Sequence, residues 1–169
     1  MMILVTGGSK CGKSRYAESL FADRSEQKIY LATMLPYGED AFSAIERHRK
    51  MRADKGFLTV EQFRDIDRAE IPERSAVLLE CMGNLLANEM FQGSKITDCT
   101  DKIFSDILRL HRRTNLLVIV TNQVGSDGIA YDAATAAYLA ALGIINQKIA
   151  ANADKVIECV YGIPVTVKG

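Results

Sequence analysis

The stretch VTGGSKCGKS, residues 5–14, decides the fold, because it fits the pattern G-x-x-x-x-G-K-[ST]. It follows the apolar run Met2–Thr6, which is typical of a buried strand. A helical pattern with an apolar stripe begins at Gly12. Glycines let successive backbone N–H groups turn inward around a phosphate. The context of strand, loop and helix therefore predicts a P-loop that binds a nucleoside triphosphate, and disfavours a chance glycine turn.

Gly7, Gly12, Lys13 and Ser14 are the fixed positions of that pattern. Lys13 is expected to reach the β- and γ-phosphates as a catalytic residue, and Ser14 to bind Mg²⁺. Cys11 has two interpretations. A thiol at a helix N-terminus could be redox-sensitive, whereas the favoured interpretation is a small residue that fits the loop.

Composition indicates an ordinary soluble protein and one domain, residues 1–169, with 48% hydrophobic and 25% charged residues. Lys+Arg and Asp+Glu both total 21, so the basic excess of a general nucleic-acid binder is missing. The four cysteines are scattered without a C-x-x-C pair, which favours a reducing cytoplasm. No apolar stretch approaches the roughly 20 residues of a membrane span.

Apolar runs alternate with amphipathic segments along the whole chain. Strands are predicted at residues 2–6, 28–32, 57–60, 75–80, 116–121, 155–160 and 164–167, and helices from residue 12 and at 39–52, 85–91, 96–113 and 132–151. The last helix carries a row of alanines expected to pack tightly on the sheet: Ala133, Ala136, Ala137, Ala140 and Ala141. This alternation predicts an α/β fold, with a mostly parallel sheet covered by helices on both faces.

A carboxylate at a neighbouring strand end is needed to order Mg²⁺ beside a P-loop. Glu80, at the end of the run AVLLE, is the best candidate, and a solvated strand-end acid is the alternative. Asp154 and Glu158 are weaker candidates. The base-reading motif N-K-x-D of switch GTPases is missing, because the nearest match lacks both the lysine and the aspartate.

His48 lies among basic residues in the segment IERHRKMR. On a helix, His48 and Arg52 share a face at i,i+4. Fixed positive charge keeps an imidazole neutral and nucleophilic near pH 7, and the same cations could bind a triphosphate. This pattern suits nucleotidyl transfer through a histidine adduct. From spacing alone, a charged and solvated helix face is the favoured alternative.

Several motifs together make the chain resemble the bifunctional adenosylcobinamide kinase / adenosylcobinamide-phosphate guanylyltransferase family of cobalamin biosynthesis. The resemblance runs nearly end to end and includes MMILVTGG, GKS, YLAT, R-H-x-x-x-R, LLEC, VTNQVG, NQKIAANADKV and YGIPV. Family members typically read T-N-E-V-G where this chain has Gln123.

This resemblance implies a RecA-like P-loop fold and a ring-like homo-oligomer, a trimer. It implies that GTP or ATP, with Mg²⁺, phosphorylates a hydroxyl of the corrinoid, and that His48 then takes GMP from GTP and passes it to the corrinoid phosphate. Nucleotide contacts carry over by resemblance onto Gly7, Gly8, Ser9, Lys10, Cys11, Gly12, Lys13, Ser14, Ala32, Thr33, Met34, Arg49, Lys50, Met51, Arg52, Glu61 and Glu80. A single-activity P-loop kinase and a nucleotide-binding regulatory or assembly module are the alternative functions.

Overall fold

A seven-stranded sheet organises the computed structural model, which describes residues 1–35, 55–93, 95–125 and 128–169. The strands are β1 Met2–Thr6, β2 Lys28–Ala32, β3 Phe57–Glu61, β4 Ser75–Leu79, β7 Thr114–Val120, β8 Lys155–Val160 and β9 Ile163–Lys168. A separate two-stranded hairpin consists of β5 Phe91–Gln92 and β6 Lys95–Ile96. The order in the large sheet is β3-β2-β4-β7-β1-β8-β9. Every neighbouring pair is parallel except β8 and β9, which form an antiparallel hairpin.

Helices flank this sheet: α1 Lys13–Ser19, α2 Met82–Met90, α3 Thr100–Arg112 and α4 Ala133–Asn152. Alternate residues of the strands enter two separate buried clusters, as expected for a sheet covered on both faces. The larger cluster contains Leu4 and Ile119 with apolar residues of α2, α3 and α4. The smaller one contains Val5 and Val120 with Ala17 of α1. The predicted α/β class with a mostly parallel sheet is confirmed.

Two predicted helix starts are wrong. Helix α2 begins at Met82 rather than at residue 85, because the thiol of Cys81 caps it by accepting a hydrogen bond from the Asn84 N–H at 3.4 Å. Helix α3 begins at Thr100 rather than at residue 96. The carboxylate of Asp98 accepts hydrogen bonds from the Thr100 N–H and hydroxyl, at 3.0 and 2.8 Å, and so fixes the turn before the helix.

Helix α4 begins where the sequence predicts, but its alanine row does not pack against the sheet. Of the five alanines only Ala141 is buried, and the other four are exposed. Burial comes from the C-terminal half of the helix, through Leu142, Ile145 and Ile149. Asp132 caps the helix, because its carboxylate accepts the N–H groups of residues 134 and 135. Among the described helices, none has the length and apolar character needed to cross a membrane.

Candidate nucleotide site

The loop after β1 has the backbone that its glycines predict. Gly7 has φ of 142° and Gly12 has φ of 95°, two conformations that residues with a side chain rarely adopt. Lys10 also has a left-handed backbone, with φ of 56°. A side chain at Gly7 has no room, because a Cβ there would lie 2.5 Å from the carbonyl oxygen of Cys159 and 2.8 Å from the Cys11 sulfur. The loop therefore turns tightly with its backbone against β8.

Backbone hydrogen bonds join the loop to the two segments that follow the neighbouring strands β7 and β8. The carbonyl of Gly7 accepts the N–H of Gln123, just beyond β7, at 3.1 Å. The carbonyl of Cys11 accepts the N–H of Gly162, in the turn between β8 and β9, at 2.9 Å. Gly12 meets the same turn, because a Cβ on it would lie 3.2 Å from the Gly162 Cα. Both ends of the loop are thus held by fixed backbone.

Lys13 lies over the loop as the first residue of α1, and only 7% of it is exposed. Its ammonium donates a hydrogen bond to the carbonyl of Gly8 at 2.5 Å and lies 3.8 Å from the Cys11 sulfur. A lysine held in this way presents a positive charge to any anion that binds the loop. Ser14, the next residue, is exposed at the mouth of the loop.

Glu80 follows the last residue of β4 directly, at the carboxyl edge of the sheet where β1 also ends. Burial, helped by the negative charge of Glu18, raises the pKa of Glu80 to about 8. Of the two weaker candidates, Glu158 pairs with Thr6 at this same edge. Asp154 lies at the opposite edge, where its carboxylate accepts the N–H of Met2 at 2.6 Å.

The expected nucleotide contacts on β2 and β3 lie at the carboxyl ends of those strands. Ala32 and Glu61 are paired in register as their last residues. Thr33 is buried, and its hydroxyl donates to the carbonyl of Cys81 at 3.0 Å. The amide of Asn88 donates to the carbonyls of Thr33 and Phe63, at 2.7 and 3.0 Å, and so joins the segments that follow the two strands. Met34, the next residue along, is 41% exposed.

The basic block of the sequence lies outside the described residues. This holds for His48, the predicted nucleophile, and for the expected contacts Arg49, Lys50, Met51 and Arg52. The structure therefore brings together the P-loop, Glu80 and the ends of β2 and β3 at one edge, and the part played by residues 48–52 stays a prediction.

Three acidic side chains converge elsewhere, between the segment after β3 and helices α2 and α3. They are Asp65, Glu89 and Asp106, with one carboxylate oxygen of each within 4.8 Å of the others. The ammonium of Lys102 lies among them, at 2.8, 2.5 and 3.0 Å respectively. Arg109 adds a further contact to Asp106. The cluster is therefore an ion-pair network with its own resident cation.

The parallel sheet, the left-handed glycines and the lysine over the loop define an α/β nucleotide-binding protein of the P-loop class. In fold, the chain is similar to a solved structure of a prototypical ATPase from the type III secretion system of pathogenic bacteria, with a TM-score of 0.51 and 12% identity over 98% of this chain and 56% of that one. Residues 3–167 match the family described as cobinamide kinase / cobinamide phosphate guanyltransferase. The chain belongs to that family.

The sequence similarity to three relatives extends over their full or nearly full lengths. The chain is 37% identical to the bifunctional adenosylcobalamin biosynthesis protein CobU of Escherichia coli, over 99% of this chain and 100% of the relative. It is 32% identical to CobU of Salmonella typhimurium, again over 99% and 100%. It is 25% identical to the bifunctional adenosylcobalamin biosynthesis protein CobP of Pseudomonas aeruginosa, over 100% and 98%. The predicted family, RecA-like fold and enzyme class, a kinase and nucleotidyltransferase, are confirmed.

One neighbour of the P-loop escaped the sequence analysis. The turn Tyr161-Gly162 is recognisable as a hairpin turn, because it separates two short apolar runs and ends in glycine. Its contact with Cys11 and Gly12 joins residues about 150 positions apart, and a local sequence pattern does not predict such a contact. The amide of Gln123, the residue that departs from the family pattern, donates to the Glu158 carboxylate at 2.9 Å near the same place.

Proposed function

We propose that both reactions of this family take place at the carboxyl edge of the sheet, with the triphosphate of GTP or ATP held by residues 7–14. The observation that carries this proposal is the loop itself, with left-handed glycines at both ends and the Lys13 ammonium above it. Such a loop offers several backbone N–H groups and one fixed cation to the phosphates. A single domain, residues 1–169, would carry both activities.

Magnesium fits the side chains at this edge. The hydroxyl of Ser14 and the carboxylate of Glu80 are oxygen donors of the kind that Mg²⁺ prefers. Burial and the charge of Glu18 disfavour the negative charge of Glu80 and raise its pKa to about 8. A divalent cation nearby would act in the opposite direction and favour the ionised carboxylate. When bound, the ion would offset negative charge on the phosphates.

In the kinase step, Lys13 stabilises the charge that develops on the transferred phosphoryl group. The hydroxyl oxygen on the aminopropanol arm of adenosylcobinamide attacks the γ-phosphorus, the bond to the β-phosphate oxygen breaks, and the hydroxyl proton leaves to a base. The products are adenosylcobinamide phosphate and a nucleoside diphosphate. Positioning and electrostatic stabilisation supply most of the catalysis in reactions of this type.

In the transfer step, a ring nitrogen of His48 attacks the α-phosphorus of GTP and pyrophosphate leaves. A phosphate oxygen of the corrinoid then attacks the same phosphorus, the bond to histidine breaks, and adenosylcobinamide-GDP forms. The support for His48 is its place between Arg47 and Arg49 in the family's basic block. Fixed positive charge there favours the neutral imidazole and the departing pyrophosphate.

The decisive experiment is incubation with Mg²⁺ and GTP labelled at the α-phosphate, followed by denaturation and measurement of label on the chain. We expect label on the wild type and none on His48→Asn. His111→Asn is the matched control, because His111 is the second of two histidines and lies just before β7, at the opposite edge of the sheet. It should label like the wild type, whereas Lys13→Ala should label poorly.

The outcomes separate the alternatives. Full labelling of His48→Asn contradicts the histidine intermediate. Phosphorylation of the corrinoid without any label on the wild type indicates a single-activity kinase. Nucleotide binding with neither reaction indicates a regulatory or assembly module.

The remaining expectations concern assembly and location. We propose a homotrimer in the cytoplasm. The fully exposed edge strand β9, with Ile163 and Val167 both more than 60% exposed, supports contact between copies. The four cysteines all lie in the described ranges and are free thiols, which supports a reducing compartment. Sedimentation of the purified protein measures the assembly.

A further inference from the structure

The kinase step needs a group that takes the proton of the attacking hydroxyl, and carboxylates can do this. In the described residues, three glutamates lie in or directly after a strand at the carboxyl edge of the sheet: Glu61, Glu80 and Glu158. Glu80 is the proposed Mg²⁺ ligand. Glu61 lies on β3, four strands from β1, which is about 19 Å at about 4.8 Å per strand. Glu158 is therefore the glutamate to consider as a base.

Glu158 lies beside the start of the P-loop. It is paired in register with Thr6, the last residue of β1, and Gly7 follows Thr6 directly. Val156, two residues earlier on β8, is buried in the larger cluster, which contains the apolar residues of α4. Because alternate residues of a strand point to the same face, Glu158 faces the α4 side of the sheet.

The side chain of Gln123 holds this carboxylate in place. Its Nε2 donates a hydrogen bond to Glu158 Oε1 at 2.9 Å. Its backbone N–H donates to the carbonyl of Gly7 at 3.1 Å, so the residue is also fixed to the P-loop. The side-chain bond occupies Oε1, and Oε2 can accept a hydrogen bond from a further donor.

A groove opens on the same face of the sheet. It is lined by residues 122–124 and by Leu139, Gly143 and Asn146 of α4, and its volume is about 440 Å³. The hydroxyl of Thr121, at the end of β7, donates to Asn146 Oδ1 at 2.9 Å and joins the two walls. A groove of this volume is ample for the aminopropanol arm of the corrinoid, and Gln123 lies in its wall.

We propose that Glu158 is the general base of the kinase step and that Gln123 positions it, an inference that rests on the proposed function. The hydroxyl proton of the aminopropanol arm passes to a carboxylate oxygen of Glu158 as the hydroxyl oxygen bonds to the γ-phosphorus. The bond from the γ-phosphorus to the bridging oxygen breaks, and its electron pair stays on the nucleoside diphosphate. The Glu158 carboxyl group then releases the proton to water.

The test measures the two reactions separately, in the full chain with Mg²⁺. Adenosylcobinamide with γ-labelled GTP or ATP reports phosphorylation, and α-labelled GTP alone reports label on the chain. Glu158→Gln removes the base but keeps an oxygen that accepts the Gln123 amide. It should lower the kcat of phosphorylation about 100-fold. The KM for the corrinoid and the rate of chain labelling should each stay within about threefold of the wild type.

Exchange of the two groups provides a rescue. The double variant Gln123→Glu with Glu158→Gln keeps one carboxylate and one amide in the pair, and puts the carboxylate where family members typically carry a glutamate. It should recover phosphorylation to within about tenfold of the wild type. Glu73→Gln is the matched control, because its side chain is 69% exposed just before β4, at the opposite edge of the sheet. It should behave like the wild type in both assays.

Undiminished phosphorylation by Glu158→Gln overturns the proposal. An equal loss of phosphorylation and chain labelling also overturns it, because Glu158 would then act on nucleotide binding or on the fold. A double variant as slow as Glu158→Gln contradicts the action of the two residues as a pair. A wild type that phosphorylates no corrinoid contradicts the proposed function itself, and this role with it.

Discussion

Gly7→Ala tests whether the shape of the P-loop depends on the strand behind it. At φ of 142° an alanine is strained, and its Cβ would lie 2.5 Å from the carbonyl oxygen of Cys159. That oxygen belongs to β8, which pairs with both β1 and β9 and cannot move aside without breaking ladder hydrogen bonds. Backbone strain costs about 1–3 kcal/mol and overpacking about 1–3 kcal/mol. We therefore expect a loss of about 4 kcal/mol of unfolding free energy.

Urea unfolding followed by circular dichroism measures this loss. With a slope of about 2 kcal/mol per molar urea, the midpoint should fall by about 2 M. Gly8→Ala is the matched control, because a Cβ on Gly8 meets nothing within 4 Å and its φ is not positive. Its free energy of unfolding should stay within about 0.5 kcal/mol of the wild type, so its midpoint should shift by no more than about 0.25 M. Equal midpoints for the two variants would refute the argument that β8 shapes the loop.

Two further predictions concern charged groups. Lys102→Met leaves Glu89 and Asp106, whose side chains are 4% and 2% exposed, without their shared cation, and it should cost about 3 kcal/mol of unfolding free energy. Lys148→Met is the control, because its partner Asp101 is 89% exposed, and it should cost under about 0.5 kcal/mol. Similar urea midpoints for the two variants would contradict this difference. The raised pKa of Glu80 means that the folded state favours the neutral carboxyl. The metal-free protein should therefore be most stable below pH 4.5 with respect to this group and lose about 4 kcal/mol as the pH rises to about 8. Glu80→Gln should remove that part of the pH dependence of the urea midpoint, and an unchanged pH profile would count against the raised pKa.

Much of the sheet was predictable, because its strands are short apolar runs bounded by glycines and polar residues. Strands β1, β2 and β8 have the predicted limits, and the P-loop follows β1 with the expected positive φ angles. These features depend on local backbone chemistry: glycine where φ is positive, and a continuous apolar run where both faces of a strand are buried. Features that depend on neighbouring residues in the chain can be predicted from a single sequence.

Other features depend on contacts that a local pattern does not record. The start of α2 depends on a thiol cap at Cys81, a residue that is not among the preferred capping types. The exposed alanines of α4 have the spacing of a buried stripe, yet burial depends on which half of the helix crosses the sheet. The turn at Tyr161 touches the P-loop only because β8 lies beside β1.

The hairpin that supports the P-loop has a consequence for the order in which the protein folds. The hydrogen bond from the Gly162 N–H to the Cys11 carbonyl joins two segments that are about 150 positions apart in the sequence. The loop therefore takes its final shape only after β8 has paired with β1 and with β9. Because contacts between such distant segments form slowly, the loop is expected to be among the last parts of the sheet edge to become rigid.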